Sequence, residues 1–360
     1  VGPLQGLKIV EIAGIGPGPF AAMLLADMGA DVIRVDRPGG AMAMGPKDPT
    51  LRGRPVVTAD LKTEEGRNLV RRLAAQADAL IEGNRPGVME RLGLGPDELL
   101  AANPRLVYGR MTGFGQTGPL SSVAGHDINY IAISGALGAI AREGERPLFP
   151  LNLVGDYGGG AMFLVVGVLA AILEAQRSGE GQVVDAAMTD GSALLTALMH
   201  GMRAIGMWSD EPGTNLLDSG APFYEVYATS DGGHVAVGAL EPQFYAELLR
   251  VLEIPAEEMP QFERDRWPEF KKRLAATFAT KTQAEWAEIF EPIDACTTGI
   301  YGLGTAQTHP HNVARQTYIE HNGTPQPAPA PRFARTPSEI RQPPSAEEAL
   351  AAWGVAAPVS

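Results

Sequence analysis

The chain has 360 residues, 45% hydrophobic and 20% charged, the balance of a folded globular protein with ample core and not of a disordered one. A formal charge of −13 opposes a general role on nucleic acid or an anionic membrane, so an anionic ligand has to meet a local cluster of Arg and Lys. The single cysteine, Cys296, excludes an intrachain disulfide and a thiolate-rich metal site, as expected in a reducing compartment. No basic-then-apolar segment opens the sequence, Pro358-Val359-Ser360 carries no peroxisomal signal, and the longest apolar run, Ala161 to Ala171, is too short to span a bilayer. These features predict a cytoplasmic protein with neither nucleic-acid nor membrane partners.

Leu7 to Ile12 reads as a buried strand, Gly14-Ile15-Gly16-Pro17-Gly18-Pro19 as a glycine turn, Phe20 to Met28 as a helix stopped by Gly29, and Asp31 to Val35 as a second strand. That order opens a doubly wound α/β domain. It imitates a dinucleotide fingerprint, with Asp36 near the place of a ribose-binding carboxylate. Pro19 replaces the third glycine, however, and Pro17 deletes a backbone N–H that a pyrophosphate needs. Arg37, directly after the strand, is better suited to a phosphate on a ribose. Helix Thr63 to Gln76 and strand Ala79 to Glu82 follow, then the turn Gly83-Asn84-Arg85-Pro86-Gly87 and its helix through Arg91. Together with Arg52, Arg54 and Thr58-Ala59-Asp60-Leu61-Lys62, these residues place basic groups repeatedly after strand ends, where open α/β sheets bind ligands. For any one Arg, a solvated surface charge is the simpler reading.

Arg105 to Met111 is a further strand feeding the glycine-rich loop Thr112 to Pro119. The next stretch carries His126 in Gly125-His126-Asp127-Ile128-Asn129-Tyr130 and Asp156 just before Gly158-Gly159-Gly160. Two proton-transfer groups of different type, each in a glycine-flanked turn, suggest general acid/base chemistry; a surface His and a helix N-cap Asp are the alternative. A helix over Gly158 to Gln176 would turn its N-terminal amides toward Asp156, and strand Gln182 to Ala187 and helix Thr189 to Met207 follow. Ser209 to Pro222 is loop-rich. Phe223 to Ala228 and His234 to Ala239 form a hairpin about Ser230-Asp231-Gly232-Gly233. Helices from Glu241, around Trp267–Thr280 and over Gln283–Phe290 complete a small α+β unit, and a proline-rich connector, Thr324 to Pro331, leads to a polar tail. The predicted organisation is a large domain over 1–190, a linker over 191–222, a small domain over 223–318 and a return to the large domain over 319–360. The histidines show no metal-ligand spacing, and adjacent side chains such as those of His309-Pro310-His311 rarely converge on one ion.

With these residues in order, the chain resembles the 2-methylacyl-CoA racemases of the family III CoA-transferase superfamily. The resemblance is carried by Gly14 to Pro19, Ala30 to Pro38, Thr58 to Lys62, Asn84-Arg85-Pro86-Gly87, Arg110 to Gln116, Gly125 to Tyr130, Gly155 to Gly160 and Val237-Gly238-Ala239-Leu240-Glu241. It implies an α/β fold with a Rossmann-like large domain and a small α+β domain, in an obligate interlocked homodimer whose active site joins the large domain of one subunit to the small domain of the other. It also implies a 2-methylacyl-CoA substrate, with no metal and no cofactor beyond the CoA of that substrate. His126 and Asp156 are then the acid/base pair on opposite faces of the α-carbon, with Glu241 of the partner orienting His126. Arg37, Ala59, Asp60, Leu61, Lys62, Gly83, Asn84, Arg85 and Arg91 hold the CoA; Gly125, Asp127, Ile128, Asn129, Tyr130 and Asn152 complete the substrate site.

The Gly158–Gly160 amides are the expected donors to the enolate, with Asp127 or Asn152 in their place otherwise. Met188, Met199, Met202 and Met207 are candidates for an apolar acyl surface, although core packing is the simpler reading for any one of them. Two other functions compete: CoA transfer with Asp156 as nucleophile, and a non-catalytic CoA- or dinucleotide-binding module. One stretch departs from the family pattern, Thr297-Thr298-Gly299-Ile300-Tyr301-Gly302, where Gly299 replaces a proline and is expected to loosen the backbone beside the acyl pocket.

Overall fold

The structure, a computed structural model, describes residues 2–40 and 45–356; Pro358-Val359-Ser360 lies outside them. The chain divides into two units, Val1–Ser134 with Pro150–Leu195 and Gln316–Ser360, and Gly135–Phe149 with Thr196–Arg315. Residues 135–149, inside the expected large domain, thus group with the second unit.

In the first unit, strand β1 (Lys8–Ile12) is followed by helix α1 (Pro17–Asp27), β2 (Asp31–Asp36), β3 (Val56–Thr58), α2 (Glu64–Ala74), β4 (Ala79–Glu82), α3 (Val88–Arg91), α4 (Pro96–Ala102), β5 (Val107–Thr112) and α5 (Asp127–Ser134). After 135–149 come a π-helix (Leu153–Ala161), α6 (Met162–Ser178), β6 (Val183–Ala187) and α7 (Met188–Leu195). The six strands form one parallel sheet in the order β3-β2-β1-β4-β5-β6, with Ile9 opposite Val32 on one side and Ala79 on the other. The four inner strands, β1, β2, β4 and β5, are buried on both faces, which is why they read as apolar runs, whereas the edge strands β3 and β6 are partly exposed. Alternate residues divide the core: Ile9, Val32, Ala79 and Ile81 meet α1 and α6 through Leu25, Leu164 and Val168. Val10, Ile33, Val35 and Leu80 meet α2 and α4 through Leu69, Leu73 and Leu99.

Helix α1 starts three residues before the expected Phe20. Gly16 caps it at φ +69°, and Pro17 occupies the first turn, where no N–H is required. Thr63 caps α2 through a 3.1 Å bond from the Gly66 amide, with Glu64 and Glu65 at the positive end of the helix dipole and Arg71 and Arg72 at the other. Three sequence expectations are corrected. The stretch from Asp127 is a helix and not a turn. Asp156 lies inside the π-helix and not before a helix. The run expected to be too short for a bilayer extends over Leu153–Ser178, long and apolar enough to cross one by length and composition, although half of its apolar 18-residue window is buried inside the protein.

The second unit contains α8 (Ala197–Ala204), β7 (Tyr224–Ala228), β8 (His234–Gly238), α9 (Pro242–Val251), α10 (Trp267–Phe278), α11 (Gln283–Phe290), β9 (Thr297–Gly299) and α12 (Pro310–Arg315). The single helix expected over 189–207 is broken at Thr196. Strands β7, β8 and β9 form an antiparallel sheet; β9 is the departing stretch, and Gly299 pairs with Val235 in it. Phe223, Phe270, Phe278, Phe290, Trp267 and Trp286 fill the core of this unit. The chain returns to the first unit with β10 (Tyr318–His321), β11 (Thr324–Pro327) and α13 (Ala346–Ala352). The proline-rich connector is therefore partly a strand. Pro325 and Pro327 are tolerated because the ladder has only two strands.

Candidate active site

The strand order reverses between β1 and β4, and in such sheets the crevice beyond the strand C-termini at that point receives ligand. Here the loops after those strands, Gly14 to Gly18 and Gly83 to Pro86, wall a cavity of about 340 Å³. Gly125, His126, Tyr130 and Asp156 line the same cavity, so residues 30 apart in sequence converge on it.

His126 and Asp156 are each positioned by their own element. His126 is the exposed residue before α5; its amide donates to Asn129 Oδ1 at 3.1 Å, and its carbonyl accepts from the amides of Asn129 and Tyr130. The Tyr130 hydroxyl returns to donate to the Gly125 carbonyl, and its ring stands edge-on to Phe114 at 5.0 Å. Asp156 is half-buried in the π-helix, with Asn152 Nδ2 donating to its Oδ2 at 3.1 Å and its own amide donating to Asp127 Oδ2 at 2.7 Å. A Cβ on Gly16 would lie 3.2 Å from Asp156 Oδ2, so the first glycine loop closes directly over the carboxylate. Burial pushes the Asp156 carboxyl above the usual carboxylate range; the Asn152 amide pulls it down, the Asp127 charge pushes it up, and the His126 charge pulls it down. Tyr130 is raised by burial and by the charges of Asp156 and Asp127, against the opposing pull of Arg85.

A second, larger recess of about 1060 Å³ adjoins the first and shares Ile12, Gly14, Ile15 and Asn84 with it. Arg37, Ala59, Asp60, Leu61, Lys62 and Arg91 line it. Arg37, Lys62 and Arg91 are exposed and form no ion pair among the described residues, so their charges are available to an anion. The Asp60 side chain accepts from the Lys62 amide at 2.9 Å and shapes that turn. Arg52 and Arg54 are structural instead: both are buried, Arg52 on Asp27 and Arg54 beside Glu11.

Gly83 and Arg85 line the first cavity. Asp127, Ile128, Asn129 and Asn152 do not line either recess; Asp127, Asn129 and Asn152 act through their bonds to the backbone or side chains of His126 and Asp156. The Gly158–Gly160 amides are not available to an enolate, because they lie inside the π-helix, where amides bond to carbonyls five residues back, as Met162 does to Tyr157. Met188 lines the first cavity, whereas Met199, Met202 and Met207 belong to the second unit. Glu241 is also in the second unit, as the exposed N-cap residue of α9, with no side-chain capping bond. Sequence reasoning missed Glu11 and Glu82, which stand in the cavity wall at the ends of β1 and β4; Glu82 is held by Arg110 at 3.1 Å and the Asn84 amide at 2.6 Å. Among the described residues, no three His, Cys, Asp or Glu side chains gather as a metal site.

A parallel sheet of this order, with His126 and Asp156 in one cavity at its switch point and a basic recess beside it, places the protein among α/β proteins with a ligand crevice suited to an anion. The sequence pattern of CoA-transferase family III matches residues 4–348, and the chain belongs to that family. It is 48% identical over 337 residues to the alpha-methylacyl-CoA racemase of Mus musculus, covering 93% of this chain and 87% of that protein. The identity is 45% over 345 residues to the alpha-methylacyl-CoA racemase of Homo sapiens, covering 93% and 90%. A crystal structure of a CaiB/BaiF family protein from Brucella suis superposes with a TM-score of 0.79 at 28% identity, over 98% of this chain and 99% of that one.

Proposed function

We propose that this protein is an isomerase that interconverts the R and S epimers of 2-methylacyl-CoA thioesters by 1,1-proton transfer. The observation that carries the reading is the presence of His126 and Asp156 in one cavity that adjoins a recess lined by Arg37, Lys62 and Arg91. The identity to two alpha-methylacyl-CoA racemases supports it. Inversion needs a base on one face of the α-carbon and an acid on the other. From the S epimer, neutral His126 takes the α-proton while the C–H electron pair moves onto the thioester as an enolate. Protonated Asp156 then gives its proton to the opposite face and becomes a carboxylate. The R epimer runs the same steps backwards, with the carboxylate of Asp156 as base and the His126 imidazolium as acid. The raised proton affinity of Asp156 supports its part as the acid. The charge of the enolate oxygen falls to the start of α5, beside His126, at the amides of Asp127 and Ile128, those of Asn129 and Tyr130 being bonded to the His126 carbonyl. Glu241 acts as the carboxylate partner of His126 from the other copy of an interlocked homodimer, and the chemistry uses no metal and no cofactor beyond the CoA of its substrate.

The test is incubation of one 2-methylacyl-CoA epimer with pure protein in deuterated water. Epimerisation with one α-deuterium and no added acid is the expected result. Reaction only after a second carboxylic acid is supplied would assign CoA transfer through Asp156 instead. Asp156→Asn separates the two faces: it is expected to stop epimerisation while His126 still exchanges the α-hydrogen of the S epimer. Mixed dimers of His126→Ala and Glu241→Ala chains are expected to recover activity that neither variant has alone.

A further inference from the structure

The buried acids of the first unit differ in what neutralises them. Glu11 meets Arg34 at 2.5 Å, Asp27 meets Arg52 at 2.6 Å and Glu82 meets Arg110 at 3.1 Å, each pair almost wholly enclosed. Asp127 is equally buried, at 6% exposure, yet no cation pairs with it among the described residues. Its Oδ2 accepts only the Asp156 amide, at 2.7 Å, and its Oδ1 is buried with no partner. Leaving a carboxylate oxygen out of water without a donor carries a cost. The chain packs tightly around that arrangement: a Cβ on Gly155 would lie 2.5 Å from Asp127 Oδ2, so only glycine fits there. The uncompensated charge faces Asp156.

We propose that Asp127 is a positioning residue for proton transfer: its carboxylate fixes the backbone of Asp156 and holds an unneutralised negative charge behind it, so that the proton stays on Asp156 until the α-carbon takes it. This rests on the racemase reading above. The surroundings leave that charge to act. Alpha-helix α5 contributes Asp127 and Tyr130, and the residue before it is His126. Arg85 reaches Tyr130 electrostatically from the turn after β4. Helix α1 offers Phe20, stacked on Tyr157, and no charge near its start; α7 packs Gly191 and Ser192 on Gly159, and its one titratable residue, Asp190, is exposed. Asn152 is neutral and bonds the other side of the carboxylate. Asp127 is thus the fixed anion at Asp156, and its push is upward.

The test is Asp127→Asn, which keeps an oxygen to accept the Asp156 amide and replaces the other, unpartnered oxygen by an uncharged NH2. The pH profile of kcat/KM is measured with both epimers by deuterium wash-in. With the charge gone, Asp156 gives up its proton more readily, so the acid limb moves to lower pH. The catalytically competent form with the proton on Asp156 becomes scarcer, and kcat/KM falls by up to about tenfold per pH unit moved. It falls equally in both directions, because the equilibrium between epimers is fixed by the substrates. Affinity for free CoA is expected to be unchanged. An acid limb that stays in place, whatever happens to the rate, would reduce Asp127 to a structural role and overturn the proposal. If wild type itself fails to exchange the α-hydrogen, it is the racemase reading that falls. Asp127→Ser, smaller than the native residue, is the second variant. Independently of any variant, ¹³C-carboxylate NMR of wild-type protein must find Asp127 ionised at neutral pH; a protonated Asp127 would also overturn the proposal.

Discussion

Gly113→Ala should damage catalysis through a single contact. A Cβ at this position would lie 2.0 Å from Tyr130 Cε1 and 2.3 Å from Cζ. Non-bonded carbons need about 3.5 Å, so one partner must retreat by about 1.5 Å. The Gly113 backbone is poorly placed to give way, because its carbonyl accepts both the amide and the hydroxyl of Thr189, at 3.0 and 2.8 Å. The ring of Tyr130 must move instead, against Phe114, and its hydroxyl is bonded to Gly125, the residue before His126. Overpacking of this kind costs about 1–3 kcal/mol of stability. Misplacing the base by about 1 Å costs on the order of 100-fold in rate. The expectation is therefore a loss of that order in kcat/KM, with affinity for free CoA unchanged, because Arg37, Lys62 and Arg91 lie in the adjoining recess. Steady-state kinetics, calorimetric CoA titration and urea unfolding give the three readouts. A double-mutant cycle with Tyr130→Ala isolates the contact: the stability cost of Gly113→Ala should largely vanish once the ring is gone. An undiminished cost without the ring, or wild-type kcat/KM with it, would refute the reasoning.

Arg52→Met strips the buried Asp27 of three hydrogen bonds and releases Gln326 and the Pro327 carbonyl at β11; urea unfolding should show a loss of about 3–5 kcal/mol, largely recovered by adding Asp27→Leu. Burial already raises Asp27 above 3.8, and losing Arg52 raises it further, so the folded variant binds this proton more tightly than the unfolded chain and its deficit should shrink as pH falls toward 3.8. Lys62→Ala and Arg91→Ala should each raise KM for acyl-CoA by about two- to fivefold, less at high salt, with kcat unchanged. Asn152→Ala removes a bond that lowers Asp156, so the acid limb of kcat/KM should move to higher pH, opposite to the effect of Asp127→Asn.

The features legible in the sequence are local ones. Strands buried on both faces announce themselves as short apolar runs, and the groups that face the crevice sit one to four residues beyond them, as Arg37 and Arg85 do. What escaped was set by partners distant in sequence. Arg52 reads as one more basic residue in a ligand cluster, yet its guanidinium is enclosed by Asp27, 25 residues back, and Gln326, 274 residues on. Glu11 and Glu82 interrupt their strands with charges whose neutralising arginines are contributed by neighbouring strands, so nothing nearby marks them as cavity walls. Helix α5 was hidden by the glycine and polar residues at its start, and its contribution to the site comes mainly from Tyr130 and Asp127, one turn and no turn beyond His126.

The glycines around Asp156 have a different physical reason from the one their sequence suggests. A run of three after a carboxylate looks like a loop that frees amides for a ligand. In the fold they are packing surfaces: a Cβ on Gly159 would lie 2.5 Å from Ser192 Oγ, and one on Gly191 would lie 1.8 Å from the Gly159 carbonyl, so α7 and the π-helix touch backbone to backbone. That contact fixes the helix that carries Asp156. Asp156 is the fourth residue of this helix, too early for its amide to find a carbonyl within it. The unmatched donor is what lets Asp127 take hold of Asp156 from α5, and the rigid seat provided by α7 is what lets so short a bond fix the direction of the carboxylate. The Asp156 amide, which the helix leaves without a carbonyl, therefore binds a protein charge.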